Sequence, residues 1–432
     1  MLGHGGTHLP GKLALSICPH LLHYLAREIT CLVVTGTNGK TTSSRMVEQG
    51  FKAMNLVYIA NRSGANLLPG ITAEFVAKSS LRGKLPATHA VIECDEGATA
   101  EVCRNLHPVA VLVTNIFNDQ LDRYGSTLNI LDLIRAGIRN SPGATLCLNA
   151  DDALVASLSD EASGEVLFYS VEMAFQQGRM PKTTQPPQCL RCGTAYDYTY
   201  LTYDHLGDFH CPGCGYHRPD PQVKVTRVVR EQNGSLITLV SPDSSEEYYI
   251  NLPGNYNIYN AVGAATAMMS LGFGKSVISE ALGTFKSGFG RMERFTIDNH
   301  EIQMILVKNP TGFNQVIDYL GSQSDQGLLA ICLNSYSADG TDFSWIGDVH
   351  FDLLSQTTYS ILISGERNEE ILQCLRNAGL SDARLRVITK PADLLTYIMA
   401  QDQSVIILPS YTAMLEIRGI MAKRYSLREY WE

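Results

Sequence analysis

Residues 36–42 read Gly-Thr-Asn-Gly-Lys-Thr-Thr, and their types and spacing suit a phosphate chain. Gly36 and Gly39 permit a tight turn that leaves backbone N–H groups pointing at an anion. Lys40 supplies a positive charge to the outer phosphates, and the hydroxyl of Thr41 can ligate magnesium. Thr37, Asn38, Gly39, Lys40, Thr41 and Thr42 are the candidate ATP-binding residues. Glu93, Asp95 and Glu96 form an acidic group, and Glu93 is the candidate carboxylate for magnesium, directly or through water. A second chemistry is written in Cys189-Leu-Arg-Cys192 and Cys211-Pro-Gly-Cys214, separated by 18 residues. Each Cys-x-x-Cys presents two thiolates to one tetrahedral ion, so Cys189, Cys192, Cys211 and Cys214 predict a zinc site. Four cysteines leave no open coordination position, which makes that zinc structural, with His205, His210 and His217 as bystanders. A third group is Asp339, Asp342 and Asp348, with Trp345 between them.

The elements that must position these residues follow from pattern. Cys31–Val34 is an apolar, β-branched run that reads as a buried parallel strand, and Ser43–Phe51 reads as a helix. Strand-like runs at 32–34, 56–59, 90–94, 109–113 and 145–148 alternate with helical stretches, which implies a parallel, doubly wound sheet. In such sheets ligands sit at the carboxyl ends of strands, where the 36–42 loop, Glu93 and Thr114-Asn115 all fall. A helical stretch over 12–27 follows a Gly-rich lead that could be a plain arm or a flap over a nucleotide. Residues 180–222 stand apart as an insertion, with strands over 196–203 and 208–210. Val223–Val240 reads as a hairpin turning at Gln232-Asn-Gly234. From Ile297 a second α/β unit begins, with strands at 303–306, 328–333, 360–364, 386–388 and 405–408. The domains expected are 1–30 as arm and helix, 31–295 as the ATP-binding domain, and 296–432 as a C-terminal α/β domain.

Composition narrows the classes. The chain has 432 residues, 45% hydrophobic and 18% charged, enough for two or three domains with ample core. A net charge of −9 argues against a nucleic-acid partner. No apolar run is long enough for a transmembrane segment, and the N-terminus lacks the basic start and cleavage site of a signal peptide. The chain has 11 cysteines, and those outside the paired motifs are scattered singly in apolar contexts, as in a cytoplasmic protein with free thiols.

The loop Gly-Thr-Asn-Gly-Lys-Thr, with Val34 where the commoner phosphate-loop pattern has its first glycine, resembles that of the Mur ligases. Asn115, Asp119, Leu121 and Asp122 match that family's segment after the fourth strand, with Gln120 in place of its histidine. No lysine occurs between Asp122 and Asn149 to match the carbamylated lysine of many Mur ligases. Asn149-Ala-Asp-Asp152 matches the segment after the next strand. Asn257 and Asn260 match a segment near the nucleotide, with Tyr256 in place of its histidine. Gly290-Arg-Met-Glu293 matches the element ahead of the last domain, which makes Arg291 a candidate contact to ATP. Lys308 replaces another family histidine. Asp-Gln-Leu-Asp-Arg-Tyr-Gly, the four-cysteine insertion and Asp-Gly-x-Asp-x-Ser-Trp-Ile together are similar to the MurT branch.

The resemblance implies an α/β fold: a P-loop Mur-ligase-like central domain, an inserted zinc ribbon, and a smaller Rossmann-like C-terminal domain. It implies ATP, magnesium and structural zinc as cofactors. The implied activity is amidation of the D-glutamate α-carboxyl in the stem peptide of lipid II, at the inner face of the cell membrane. Ammonia would come from a GatD-type glutamine amidotransferase, with which the C-terminal domain pairs. In that family the ligase chain completes the partner's catalytic triad with an aspartate, which the Ser-Trp-Ile-x-Asp motif places at Asp348, with Asp342 as the fallback. The alternatives are a Mur-type amino-acid ligase and an ATP-binding zinc-ribbon scaffold.

Overall fold

A computed structural model describes residues 8–425 apart from 62–64, 118–124, 176–187, 287, 289, 299 and 324–326. The Gly-rich lead at 1–7, the matches at Asp119, Gln120, Leu121 and Asp122, and the lead-in to the insertion lie outside the described residues. The chain divides into two compact units, the second taking over at Lys286.

The first unit is built on a nine-stranded sheet. Its strands are β1 (Thr30–Thr35), β2 (Tyr58–Ala60), β3 (His89–Glu93), β4 (Ala110–Val113), β5 (Thr145–Asn149), β6 (Val166–Val171), and a meander that returns after the insertion. The meander is β9 (Val223–Glu231), β10 (Gly234–Ser241) and β11 (Ser244–Ile250). The order is β11-β10-β9-β6-β5-β4-β1-β3-β2. From β2 to β9 the pairing is parallel, and β9, β10 and β11 pair antiparallel. Cys31, Leu32, Val33 and Val34 of β1 have no exposed surface, because helices cover both faces of the parallel part. β1 pairs with β3 on one side and β4 on the other, so the loop after β1 opens at the point where the strand order reverses.

Helix Lys40–Ala53 buries Ser43, Met46, Val47, Gly50 and Phe51, a helical spacing that turns one face to the sheet. The helical stretch expected over 12–27 is two helices, His8–Ile17 and Leu21–Ala26. They separate at Cys18-Pro19, where proline disfavours helical geometry in the residue before it. Leu22 and Leu25 then join the core cluster of Cys31, Val33, Phe75 and Ile92.

The insertion holds an antiparallel hairpin, β7 (Asp197–Tyr203) and β8 (Leu206–His210). Its aromatic side, Tyr196 and Phe209, packs with Cys189, Cys211, Ala153 and Ala156, so the insertion shares a small core with the helix that follows β5.

The second unit is a six-stranded sheet of β12 (Arg291–Ile297), β13 (His300–Ile305), β14 (Leu328–Cys332), β15 (Ser360–Ser364), β16 (Leu385–Val387) and β17 (Val405–Pro409), in the order β12-β13-β17-β14-β15-β16. All pairs are parallel except β12 with β13. Arg418, on the last helix, Tyr411–Tyr425, ties back to the unit's first strand. Its Nε donates to Glu293 Oε2 at 3.0 Å and its Nη2 to Oε1 at 2.5 Å. Glu293 also accepts from the Gly290 N–H at 2.8 Å.

Candidate active site and cysteine cluster

The loop after β1 takes the shape that its glycines allow. Gly36 and Gly39 have φ of +117° and +88°, in the region that favours glycine. A Cβ on Gly39 would lie 2.0 Å from Asn260 Oδ1, so helix Asn255–Ser270 packs directly on the loop. Thr37 and Asn38 are held from β4. The Thr37 N–H donates to the Asn115 carbonyl at 2.8 Å and the Asn38 N–H to Asn115 Oδ1 at 2.8 Å. Asn115 Nδ2 returns a bond to the Asn38 carbonyl at 3.0 Å, and the Phe117 N–H donates to Thr37 Oγ1 at 3.0 Å. One amide side chain thus closes both ends of Asn38 and presets the loop.

Lys40 is buried. Its Nζ donates to the Gly36 carbonyl, and to Glu96 Oε1 at 2.8 Å. Burial alone would lower its pKa. The charge and hydrogen bond of Glu96, with Glu93 and Asp95 behind it, outweigh burial and raise it, so the ammonium stays charged. Glu93 ends β3, and its main chain is clamped by Asn61. Its N–H donates to Asn61 Oδ1 at 2.9 Å, and Asn61 Nδ2 donates to its carbonyl at 2.7 Å. Glu93, Thr41, Asn61, Ser44, Arg45 and Glu48 line one small cleft. A carboxylate and a helix-start hydroxyl facing one cleft are the donor set a hydrated magnesium takes. The three neighbouring acids have separate roles: Asp95 accepts from the Gly97 N–H at 3.1 Å and caps a short 3-10 turn, while Glu96 pairs with Lys40. Thr42 is buried in the first turn of the same helix.

Asn257 is buried. Its amide donates to the Pro253 carbonyl at 2.6 Å, its Oδ1 accepts from Asn260 Nδ2 at 3.0 Å, and Asn260 in turn abuts Gly39. Asn257 therefore reaches the loop through Asn260. Arg291 stands half-buried at the start of β12 in the second unit.

The four cysteine Sγ atoms lie within 4.8 Å of one another. Cys189 and Cys214 are 3.6 Å apart and Cys192 and Cys211 3.4 Å, far beyond a disulfide bond. Tetrahedral thiolates on zinc sit about 3.8 Å apart, so the arrangement fits one ion. Each pair is folded by a main-chain turn, Gly193 N–H to the Cys189 carbonyl and Gly215 N–H to the Cys211 carbonyl. By contrast, burial pushes the lone thiol of Cys103 up to about 11 and that of Cys147 to about 12, which leaves them unreactive.

His205 stands outside the cysteine cluster, as expected, but holds the insertion in place by other contacts. It is buried at the hairpin turn, 3.6 Å from Asp152 and 3.5 Å from Asp204, with its ring 4.8 Å from that of Phe117. Burial would lower its pKa, but the two carboxylates outweigh it and hold it up at about 10. Asp152 also accepts from the Ile116 N–H at 2.8 Å. Asp151 bonds Arg218 Nη1 at 2.8 Å, Tyr259 Oη at 2.6 Å and the Val171 N–H at 2.8 Å. Burial nevertheless pushes its carboxyl up to about 6. His205 thus ties the cysteine insertion to the segment that carries Asn115 and Phe117, and Arg218 ties it to Asp151 and Glu172.

In the second unit the three aspartates separate. Asp339 accepts from the Thr412 N–H at 2.8 Å and its hydroxyl at 2.6 Å. Ser344 lowers the pKa of Asp342, first through its hydroxyl and then through its N–H, which donates to Asp342 Oδ1 at 2.9 Å. Asp348 ends the 3-10 turn Ser344–Asp348 exposed to solvent, and its carboxylate takes no hydrogen bond from the described residues. Asn314 fixes the turn, donating to the Asp348 carbonyl at 3.2 Å and accepting from the His350 N–H at 2.8 Å.

Residues 34–189 match the Mur ligase middle domain and residues 306–414 the MurT ligase C-terminal domain. The fold is that of solved Mur-type ligases. A type C pseudomurein peptide ligase from Methanothermus fervidus superposes with a TM-score of 0.69 at 22% identity, over 92% of this chain and 79% of its own. MurF from Acinetobacter baumannii gives 0.69 at 17% identity, over 95% of this chain and 80% of its own. Sheet order, phosphate loop and these matches define a protein of the Mur ligase class. Within it, the chain is 34% identical over 99% of its length to the MurT subunit of lipid II isoglutaminyl synthase (glutamine-hydrolyzing) from Streptococcus pneumoniae, 95% of which is covered. It is 33% identical over 86% of its length to the Staphylococcus aureus subunit, of which 82% is covered. The chain belongs to the MurT family.

Proposed function

We propose that this chain is the ATP-using ligase subunit of a lipid II isoglutaminyl synthase. The observation that carries the reading is the site around Lys40, with Glu96 locking the lysine and Thr41 and Glu93 facing one cleft, in a chain of this family. The α-carboxylate of D-glutamate in the stem peptide attacks the γ-phosphorus of ATP, giving an acyl phosphate and ADP. Ammonia then attacks the acyl carbon, phosphate leaves, and a proton is lost to give D-isoglutamine. Phosphoryl transfer asks for positioning and charge neutralisation more than for covalent chemistry. Loop amides at 37–42 and the Lys40 ammonium meet the phosphates, and Arg291 is assigned a nucleotide contact. Asn257 acts by bracing Asn260 against the loop. Thr41 and Glu93 would hold magnesium, which neutralises phosphate charge when bound. Zinc on the four cysteines would fasten the insertion and take no part in the chemistry.

Ammonia is drawn from a glutaminase partner of the GatD type. Asp348, exposed on a turn held by Asn314 and with a carboxylate that takes no hydrogen bond from the described residues, is the aspartate that orients the partner's histidine. The reading places the protein in the cytoplasm, at the inner face of the membrane where lipid II is carried.

The test is mass spectrometry of lipid II incubated with the chain, ATP, magnesium and ammonium, then with the partner and glutamine in place of ammonium. An ATP-dependent change from carboxyl to amide is expected in both. Addition of a whole amino acid would instead mean a Mur-type ligase, and no product a nucleotide-binding scaffold.

A further inference from the structure

Helix His8–Ile17 is apolar on two opposite faces. One is spent: Gly11 lies flat against the backbone of Pro69 and Ala73 in helix Leu68–Lys78, and Leu15 packs on the core cluster of Leu22, Leu25 and Phe75. On the other, Leu9, Leu13 and Ile17 recur every fourth residue as one stripe and are 61%, 57% and 84% exposed. Tyr24 on the next helix is 57% exposed. Leu81, in the loop after helix Leu68–Lys78, stands fully in solvent, and Gly83 of that loop lies beside Leu25, so the loop abuts helix Leu21–Ala26. Lys12, Lys78, Arg82 and Lys84 are exposed around the apolar residues, while the exposed acid of these segments, Glu28, lies 3.7 Å from Arg27. A net-acidic chain thus carries a local excess of exposed basic residues in the segments that bear these exposed apolar side chains.

We infer that this face docks on an anionic lipid bilayer. The inference rests on the proposed lipid-linked substrate and names the surface that brings the chain to it. Leu9, Leu13, Ile17 and Leu81 enter the boundary between headgroups and acyl chains, and the lysines and arginine meet anionic headgroups. No helix among the described residues is long and apolar enough to cross a membrane, so the attachment is peripheral. Lysine is depleted from protein interfaces and enriched beside membranes, which favours a bilayer over a second protein as the occupant.

The experiment is flotation of the full chain with vesicles of phosphatidylcholine alone or mixed with phosphatidylglycerol, all free of lipid II. Binding is expected to the anionic vesicles and to weaken with salt. L13E with I17E, and separately L81E, should each lower the partition coefficient about tenfold or more. K12Q with R82Q should weaken binding mainly at low salt. Circular dichroism and an unchanged thermal shift on adding ATP establish that the variants fold. Amidation of a soluble stem peptide, run in parallel, reports the proposed reaction without a bilayer, so failure there is separable from failure to dock. Absence of binding to anionic vesicles, binding indifferent to these substitutions, or substitutions that instead dissociate a dimer or the amidotransferase complex would overturn the inference.

Discussion

At the scale of residues, the proposed nucleotide site is set in advance of its ligand. Lys40 is held by Glu96 and two loop carbonyls before any phosphate arrives, so little reorganisation is left for binding. Lys40→Ala should reduce ATP turnover about a thousandfold, and Glu96→Gln, which frees the ammonium without removing it, about tenfold to a hundredfold; phosphate release measures both. Gly39→Ala forces a Cβ into Asn260 at a positive φ, and should weaken ATP affinity measured calorimetrically by about tenfold or more. His205 gives a pH effect. Its folded pKa, about 10, is above the unfolded value of about 6.5, so it contributes stability that is full below the unfolded value. That stability is lost as pH rises through 10, so the melting temperature should fall over this window. His205→Gln should lower the melting temperature at neutral pH and flatten that slope. An unchanged slope in the variant would remove the ion-pair account.

At the scale of elements, the parallel strands were legible because burial on both faces leaves unbroken apolar runs, as in β1 and β4. Less was visible where that signature is absent. β11, Ser-Ser-Glu-Glu-Tyr-Tyr-Ile, is an exposed edge whose residues look like a loop, and β12, Arg-Met-Glu-Arg-Phe-Thr-Ile, alternates charge and apolar side chains at the far edge of the second sheet. Site residues named by a motif, Lys40, Thr41 and the cysteines, could be read locally. Glu96, Asn61 and His205 could not, since their roles arise from contacts 56, 32 and 53 residues away that only the folded sheet creates. The cysteine insertion offers its own check. Zinc chelation, or Cys192→Ser, should release one equivalent of metal, lower the melting temperature and expose the amides of β7 and β8 to hydrogen exchange. Retention of full protection without metal would show the hairpin folding on its aromatic core alone.

At the scale of the molecule, the proposed function divides its chemistry between the two units: the phosphate loop and Glu93 belong to the first, and Asp348 to the second. Two substitutions should therefore separate the half-reactions. Asp348→Asn should spare amidation driven by ammonium and abolish that driven by glutamine with the partner present. Lys40→Ala should abolish both. Loss of the ammonium reaction in Asp348→Asn would detach that residue from the partner's triad and return attention to Asp342.

The ion pair between Glu293 and Arg418 spans 125 residues and fastens β12, an edge strand of the second sheet, to helix Tyr411–Tyr425. Two stretches remote in the chain are thereby riveted together, and the edge strand cannot lift without leaving a buried charge unpaired. Arg418→Ala should therefore destabilise the unit by about 3 kcal/mol and speed hydrogen exchange of the β12 amides, and unchanged exchange would show that the strand is held by its neighbours alone.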